Sequence, residues 1–252
     1  MALETDLLLD RRRLKRRLVF WRILALVAVG VALLAAIPDG ALPNGGAHVA
    51  RLTVRGIIAE DRKLTEQLDK LADDRSAKAL ILAIDSPGGT VSGGDSLHNA
   101  IGRVAAKKPV VAVMRGVAAS AGYMIAMPAE RIFARESTLT GSIGVLLQTG
   151  EVSGLLDKLG VTAETIVSGP LKDQPSTTHK MSPKGREVLQ GMVTDMYDQF
   201  VGMVAAGRHM TPETVRQLGD GRAYTGRQAL ALGLIDQIGE ERDARTWLAE
   251  NK

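Results

Sequence analysis

The chain has 252 residues, enough for one large domain, and carries 32 Lys/Arg against 28 Asp/Glu, a net charge of +4. It contains no cysteine, which excludes disulfide frameworks, thiolate metal sites and cysteine nucleophiles. Apolar residues make up 45% of the chain and aromatic residues only 3%, so the composition favours a sizeable, closely packed core over aromatic binding surfaces.

An apolar run near the N-terminus predicts a membrane anchor over residues 18–37. Arg22 is its only charge, and twenty helical residues span about 30 Å, the thickness of a bilayer core. Six Lys/Arg precede the run within residues 11–17, which predicts a cytoplasmic basic tail over 1–17 and a translocated C-terminal domain. A cleaved signal peptide is the alternative.

The same N-terminal residues account for the net charge. Residues 1–37 carry seven basic and three acidic side chains, whereas residues 38–252 carry 25 of each. The basic balance is therefore a topology signal, and we expect no nucleic-acid partner.

Residues 38–47 are rich in Pro, Gly and Asn and predict a linker, followed by one α/β domain over residues 48–252. Apolar runs predict strands at 48–58, 79–84, 109–114, 131–134, 144–147, 161–167 and 234–238. Spacing and capping residues predict helices at 60–71, 94–106, 117–127, 182–206, 225–233 and after Thr211-Pro212. Strand, glycine turn and helix occur twice about 30 residues apart, which predicts parallel strands with helical crossovers.

Ser120 lies where the predicted strand 109–114 gives way to a helix built from small residues. The first N–H groups of a helix are unpaired and lie at its positive dipole end. A serine at this point would attack a carbonyl carbon while neighbouring N–H groups hold the oxyanion. The alternative is that Ser120 only caps the helix and the small residues only pack tightly.

A second turn, Ser86-Pro87-Gly88-Gly89, also follows a buried strand and precedes a helix. Neighbouring parallel strands would bring the two helix starts side by side. The backbone N–H groups of Gly89 and Ala121 would then form an oxyanion hole. A plain strand-to-helix turn is the alternative interpretation of the glycine pair.

A nucleophilic serine needs a base. None of the histidines lies in a motif that indicates catalysis: His48, His98, His179 and His209. Lys172, in the segment S-G-P-L-K-D, is the better candidate, because an apolar cleft would favour the uncharged amine that a base requires. A solvated loop lysine is the alternative, and no S-x-x-K motif occurs.

Five motifs occur in order along the chain: D-S-P-G-G at 85–89, V-A-A-S-A-G-Y at 117–123, T-G-S-I-G-V at 140–145, S-G-P-L-K-D at 168–173 and Y-T-G-R-Q-A-L-A-L-G-L-I-D at 224–236. Together they resemble the signal peptide peptidase A family. The resemblance implies Ser120 as nucleophile, Lys172 as general base and Ser142 as a hydroxyl that orients the lysine. It also implies Gly89 and Ala121 as oxyanion donors. Ala121 departs from the glycine more frequent in the family, but its N–H remains.

The resemblance further implies a Clp-protease/crotonase-like α/β fold of stacked parallel sheets with helical crossovers, preceded by one transmembrane helix. It implies no cofactor and no metal. The expected substrates are remnant signal peptides, and the expected location is the bacterial inner membrane with the peptidase domain on the extracytoplasmic side. A ring-shaped homo-oligomer is expected, in which Ser120 of one subunit meets Lys172 of the next.

Three other functions stay open on sequence grounds. A Ser-His-Asp peptidase of the Clp type needs a histidine soon after the serine helix, but the next one, His179, follows Ser120 by 59 residues. A crotonase-like acyl-CoA enzyme shares the paired N–H groups, yet the serine, the lysine and the anchor argue against it. A catalytically inactive membrane scaffold would keep the same fold.

Overall fold

The computed structural model describes residues 17–30 and 46–252. The chain divides into two units, Met1–Gly46 and Ala47–Lys252. Residues 17–30 form a helix, α1, with mostly exposed side chains. No helix within the described residues is both long and apolar enough to cross a membrane. The predicted anchor, tail and linker extend over residues 1–16 and 31–45, which lie outside the described residues.

Seven strands of the described residues form one sheet in the order β1-β2-β3-β4-β7, with β5 beside β3 and β6 beside β5. The strands are β1 (His48–Ile58), β2 (Ala77–Gly89), β3 (Val110–Ala119), β4 (Arg131–Ala134), β5 (Leu139–Gly141), β6 (Ala223–Thr225) and β7 (Gln237–Ile238). All pairs are parallel except β5–β6. The predicted α/β class with parallel strands is confirmed.

The sheet branches at β3, and this differs from the stacked sheets that we expected. Residues 111–114 of β3 pair with β4, whereas residues 117–119 pair with β5. Because β3 is ten residues long, its first part can pair with β4 and its last part with β5 along the same edge. The result is a single branched sheet whose two branches meet on β3, the strand that leads to Ser120.

The helices after α1 are α2 (Arg62–Asp73), α3 (Val91–Ala105), α4 (Ala121–Met124), α5 (Ser153–Lys158), α6 (Pro183–Arg208), α7 (Pro212–Leu218), α8 (Gly226–Ala231) and α9 (Glu241–Asn251). Hydroxyl side chains fix several of their starts, because each accepts a bond from a backbone N–H three residues on. These N-caps are Thr90, Ser182, Thr211 and Thr225. The caps expected at the last three positions are confirmed.

The centre of the sheet is buried on both faces. Leu80, Leu82 and Ile84 of β2 belong to the main core with α3 and α4, whereas Ala79 and Ile81 pack with residues of α9 on the other face. Two covered faces explain why this strand is a continuous apolar run and not an alternating pattern. Helix α9, which closes the second face, is not among the elements predicted from sequence.

Two predicted strands, 144–147 and 161–167, are wrong. Residues 142–181 contain one short helix, α5, and are otherwise irregular. We call residues 144–172 the arm. Its apolar side chains stay largely exposed, for example 80% at Leu146 and 93% at Ile166. An apolar alternation forms a strand only beside a partner strand, and none within the described chain pairs with the arm.

Helix α6 does not stop at Gly207 as we expected. It continues to Arg208, and His209 adopts a left-handed conformation with φ of 55° as the C-cap. Gly207 serves packing instead, because a Cβ there would lie 2.6 Å from the backbone oxygen of Met127. The glycine therefore lets α6 approach the segment that follows α4.

Candidate active site

Ser120 is the single residue between β3 and α4, and its backbone is strained. Its φ of 54° and ψ of −122° lie in a region that L-residues rarely adopt, which costs about 1–3 kcal/mol. The helix predicted over 117–127 is reduced to Ala121–Met124, because β3 continues to Ala119 through its pairing with β5. The serine therefore lies on a sharp turn and not inside a helix.

Backbone bonds hold this turn from both sides. The Ser120 N–H donates to the oxygen of Gly141 at 2.9 Å, and the Ser120 oxygen accepts from the N–H groups of Tyr123 and Met124, also at 2.9 Å. The Ser120 side chain makes no capping hydrogen bond to α4. Ser120 therefore occupies the N-cap position, but its hydroxyl does not cap the helix.

A buried tyrosine anchors the short helix behind the serine. Tyr123 is fully buried, and its hydroxyl donates to the oxygen of Leu234 at 2.7 Å. Burial raises the pKa of Tyr123, so it remains a neutral donor. Helix α4 is thus attached to the segment that leads into β7.

The segment that receives Tyr123 is itself held by an ion pair. Arg208 donates to the oxygen of Gly233 and, through both terminal nitrogens, to the carboxylate of Asp236. Asp236 also accepts the N–H of Ile132 at 2.7 Å. Burial alone would raise the pKa of Asp236, but the hydrogen bonds and charge of Arg208 outweigh it and keep that pKa below its ordinary value.

Gly88 and Gly89 are the last residues of β2, although we predicted a turn here, and we keep the name Gly88–Gly89 turn for this end of the strand. It lies directly against Ser120, so the predicted juxtaposition of the two segments is confirmed. Gly88 has φ of 117°, and a Cβ there would lie 2.8 Å from the Cβ of Ser120. A Cβ on Gly89 would lie 1.8 Å from the oxygen of Ile58 in β1. Only glycine allows this backbone to fit between β1 and Ser120.

The register of β1 and β2 determines the direction of the Gly89 N–H. Ile58 pairs with Gly89, and the Ile58 oxygen accepts the N–H of Thr90 at 2.8 Å. In a parallel ladder the residue between two bonded groups directs its own N–H to the opposite side. The Gly89 N–H therefore points away from β1, towards the end of β3. Ala121 begins α4, so its N–H has no partner within that helix.

Ser120 opens onto a cavity of about 700 Å³. The cavity reaches from the Gly88–Gly89 turn and Ser142 to one side of α6, and its apolar lining comes from Ile57, Val91, Val145, Leu146, Val193 and Tyr197. A second cavity of about 370 Å³ shares Gln190 and Val193 with the first. The concave surface thus continues along α6, and its size and lining suit an extended apolar peptide.

Lys172 is exposed on the loop between α5 and α6. Its backbone N–H donates to the oxygen of Gly169 at 3.1 Å. The described residues that line the cavity include Ser120 and Ser142 but not Lys172. Within one subunit, then, the structure brings together Ser120, Gly89 and Ser142, and it does not bring Lys172 to them.

A histidine–carboxylate pair beside Lys172 was missed by sequence reasoning. His179 Nε2 lies 2.6 Å from an Asp173 oxygen, and this hydrogen bond raises the pKa of His179 and lowers that of Asp173. This hydrogen bond joins the two ends of the segment 173–179, which directly follows Lys172. His179 also lies outside the cavity lining. Two polar residues six positions apart in a loop give no periodic signal that could have indicated their contact.

The α/β fold resembles that of the Clp proteases. ClpP1 of Listeria monocytogenes, in a mutant form, superimposes with a TM-score of 0.50 at 20% identity, over 77% of this chain and 92% of that chain, which establishes the fold alone. The sequence profile of peptidase family S49 matches residues 103–252, and the chain belongs to this family of serine peptidases.

Two relatives agree with this assignment. A protein of Synechocystis sp. described as a protease, slr0021, is 42% identical over 202 residues, which cover 80% of this chain and 73% of the relative. A protein of Enterococcus faecium described as a signal peptide peptidase, SppA, is 38% identical over 234 residues, 86% of this chain and 67% of the relative. The family resemblance expected from the five motifs is confirmed.

Proposed function

We propose that this protein is a membrane-anchored serine endopeptidase that degrades remnant signal peptides, with Ser120 as nucleophile and Lys172 as general base. The observation that carries the proposal is the strained Ser120, whose hydroxyl makes no capping bond and opens onto an apolar cavity between two helix starts. The substrate class rests on that apolar lining, on the predicted anchor and on the description of the E. faecium relative.

In the proposed reaction the Ser120 hydroxyl oxygen attacks the scissile carbonyl carbon and the uncharged Lys172 amine takes the hydroxyl proton. The oxyanion is held by the N–H groups of Gly89 and Ala121, each worth about 10²–10³ in rate. The Lys172 ammonium then protonates the leaving amine as the acyl-enzyme forms. Water then attacks the acyl carbon while the uncharged Lys172 takes a water proton. The ester bond breaks as Lys172 returns that proton to the Ser120 oxygen and the carboxylate product leaves. Ser142, on the cavity wall, would accept a hydrogen bond from the lysine and orient it.

The base in this scheme comes from a neighbouring subunit in a ring. Two features support sharing: Lys172 is exposed and lies outside the cavity lining of its own chain, and the arm before it carries uncovered apolar side chains. Those on α5 and beside it include Leu155, Leu159 and Val161. A second copy packed head-to-tail would cover them and carry its Lys172 to the cavity, and such a contact closes into a ring.

The test of the dyad is an assay of the detergent-solubilised chain on peptides with apolar stretches. Ser120→Ala and Lys172→Ala should each abolish cleavage, and the double variant should be no worse than either. Lys158→Ala, at an exposed lysine of the same arm, is the matched control and should keep activity. Activity in folded Lys172→Ala would return attention to His179. Wild-type protein that neither cleaves peptides nor reacts with a fluorophosphonate would indicate the inactive scaffold instead.

The shared site is tested by co-expressing Ser120→Ala with Lys172→Ala. If residues pair across subunits, random mixing makes about one junction in four intact, so about a quarter of the activity returns. If each subunit used its own serine and lysine, every site would lack one of the two residues, and no activity would return. Verified mixed rings without cleavage would exclude the shared site and leave the serine–lysine chemistry in place.

The proposed topology puts residues 1–17 in the cytoplasm and the peptidase domain outside the inner membrane, because the cation cluster precedes the apolar run. Protease added to intact spheroplasts should therefore digest the domain. Digestion only after lysis would reverse the orientation.

A further inference from the structure

Ser86 lies at the end of β2, fully buried, and its hydroxyl contacts the turn that carries Gly89. The hydroxyl donates to the oxygen of Gly56 at 2.6 Å and accepts the N–H of Gly88 at 3.1 Å. We infer that Ser86 is a positioning residue for the oxyanion hole, which restrains the backbone next to Gly89 and so supports the direction that the ladder gives to the Gly89 N–H. The inference rests on the proposed serine-peptidase function and adds a residue to its machinery.

The hydroxyl acts where the β-ladder is interrupted. The β1–β2 register shifts between Arg55 and Ile57, and the β2–β3 register shifts between Ile84 and Ser86. Gly56, at the first shift, has φ of 69°. At such irregularities backbone groups lose their ladder partners. The Ser86 side chain adds one donated and one accepted bond at this irregularity, next to the point where the ladder resumes with Ile57–Gly88 and Ile58–Gly89.

The geometry links Ser86 to catalysis through one peptide group. Ser86 Oγ lies 3.1 Å from the nitrogen of Gly88 and 3.3 Å from its oxygen. That oxygen belongs to the same planar peptide as the Gly89 N–H, and the two point in opposite directions. The bond from the Gly88 N–H holds the Pro87–Gly88 peptide directly, and it restrains the adjoining Gly88–Gly89 peptide through the Cα of Gly88. Rotation of the Gly88–Gly89 peptide would turn the Gly89 N–H away from the oxyanion, which needs a donor at about 2.7–3.1 Å.

The glycines make this constraint necessary. Gly88 has φ of 117° and its backbone abuts Ser120. Glycine has the widest conformational freedom of any residue, so two consecutive glycines do not maintain one peptide orientation by themselves. Ser86 supplies a restraint in addition to the pairing with β1, and it does not enter the cavity, since it is not among the described cavity-lining residues. It therefore acts through Gly89 and does not touch the substrate.

Steady-state kinetics of Ser86→Ala test the inference, with Thr138→Val as the matched control. Thr138 is equally buried, and its hydroxyl also accepts a backbone N–H, that of Arg135, and donates to a carbonyl, that of Arg115. It lies just before β5, at the end away from Ser120. Removal of an oxyanion donor costs about 10²–10³ in kcat, so we expect loss of its support to cost about tenfold or more with KM within about twofold.

A second readout separates positioning from general destabilisation. A peptide aldehyde binds as a tetrahedral adduct with an oxyanion, so its affinity for Ser86→Ala should fall by the same factor as kcat. Binding of the uncleaved peptide, measured in the Ser120→Ala background, should not change. Thr138→Val should lower the melting temperature without either effect.

The outcomes are decisive in each direction. A Ser86→Ala kcat no lower than that of Thr138→Val, or a loss that appears in KM, would overturn the inference while the peptidase activity stands. If Ser86→Ala does not fold, Ser86→Cys keeps the volume but only a weak donor and acceptor. Wild-type kcat in folded Ser86→Cys would overturn the inference, and so would failure of both variants to fold. Wild-type protein without peptidase activity would refute the proposed function itself.

Discussion

Replacement of Asp236 by alanine should destabilise the fold markedly, because it removes one member of a largely buried ion pair. The Arg208 side chain is only 8% exposed and that of Asp236 is 26% exposed. In Asp236→Ala, Arg208 keeps the oxygen of Gly233 but loses both bonds to the carboxylate. The N–H of Ile132 also loses its acceptor.

The magnitude follows from the burial of the remaining charge. Removing one partner of a buried pair costs about 3–5 kcal/mol, because the other charge stays away from water. Since a quarter of the Asp236 side chain is exposed, water can partly replace it, and we expect about 3 kcal/mol. For a domain of this size that corresponds to a fall of about 6–12 °C in the melting temperature.

Thermal unfolding of the detergent-solubilised chain measures the effect, and Asp69→Ala is the matched control. Asp69 also pairs with an arginine through two bonds, to Arg103, but both side chains are about half exposed. Its loss should leave the melting temperature nearly unchanged. Equal shifts for Asp236→Ala and Asp69→Ala would refute the argument from burial.

The effect of Asp236→Ala should also depend on pH. The pKa of Asp236 is lowered in the folded state, so its contribution is present above the unfolded value of about 3.9 and is lost as pH falls through the folded value. The difference in melting temperature between wild type and Asp236→Ala should therefore persist from pH 7 to about pH 5 and shrink below about pH 4. A difference that grows as the pH falls below 4 would contradict this sign.

Three further variants test the surroundings of the site. Gly88→Ala should abolish cleavage, because its Cβ would lie 2.8 Å from that of Ser120 at a φ of 117°, whereas Gly102→Ala, with open space inside α3, should be active and at least as stable. Tyr123→Phe should cost about 1–3 kcal/mol of unfolding free energy in denaturant titration, because the buried oxygen of Leu234 loses its donor; no change would contradict this. The imidazole of His179 should titrate by NMR above its ordinary pKa of about 6.5 and return towards it in Asp173→Asn; an unmoved midpoint would exclude the pair in solution.

The parts of the fold that the sequence predicted are those whose signals are local. The apolar run of β2 is continuous because both faces are covered, and the capping hydroxyls of Ser182 and Thr225 bond N–H groups three residues away. Helix α9 was not predicted because its sequence is mostly polar and only Ala244 and Leu248 are buried. Its position on the sheet depends on packing against residues far away in the sequence, and the pattern of apolar residues does not reveal such contacts.

The candidate site divides in the same way. The sequence predicted the contact between the Ser120 turn and the Gly88–Gly89 turn, because adjacent parallel strands end at the same edge. The role of Ser86 could not be predicted, because it depends on register shifts visible only in three dimensions. The arm gave strand-like patterns, yet its apolar side chains have no partner strand in the described chain.

The attachment of Tyr123 to Leu234 also has a consequence for biosynthesis. The two residues are 111 positions apart. At translation rates of about 5–20 residues per second, Leu234 is added roughly 6–22 s after Tyr123. Strand β6, which pairs with β5 beside the Ser120 turn, is also made late. During most of this interval the Ser120 turn has its bond to Gly141, but it lacks the anchor of Tyr123 on Leu234 and the pairing of β5 with β6. We therefore expect the strained conformation of Ser120 to be fully supported only once Leu234 and β6 have been made.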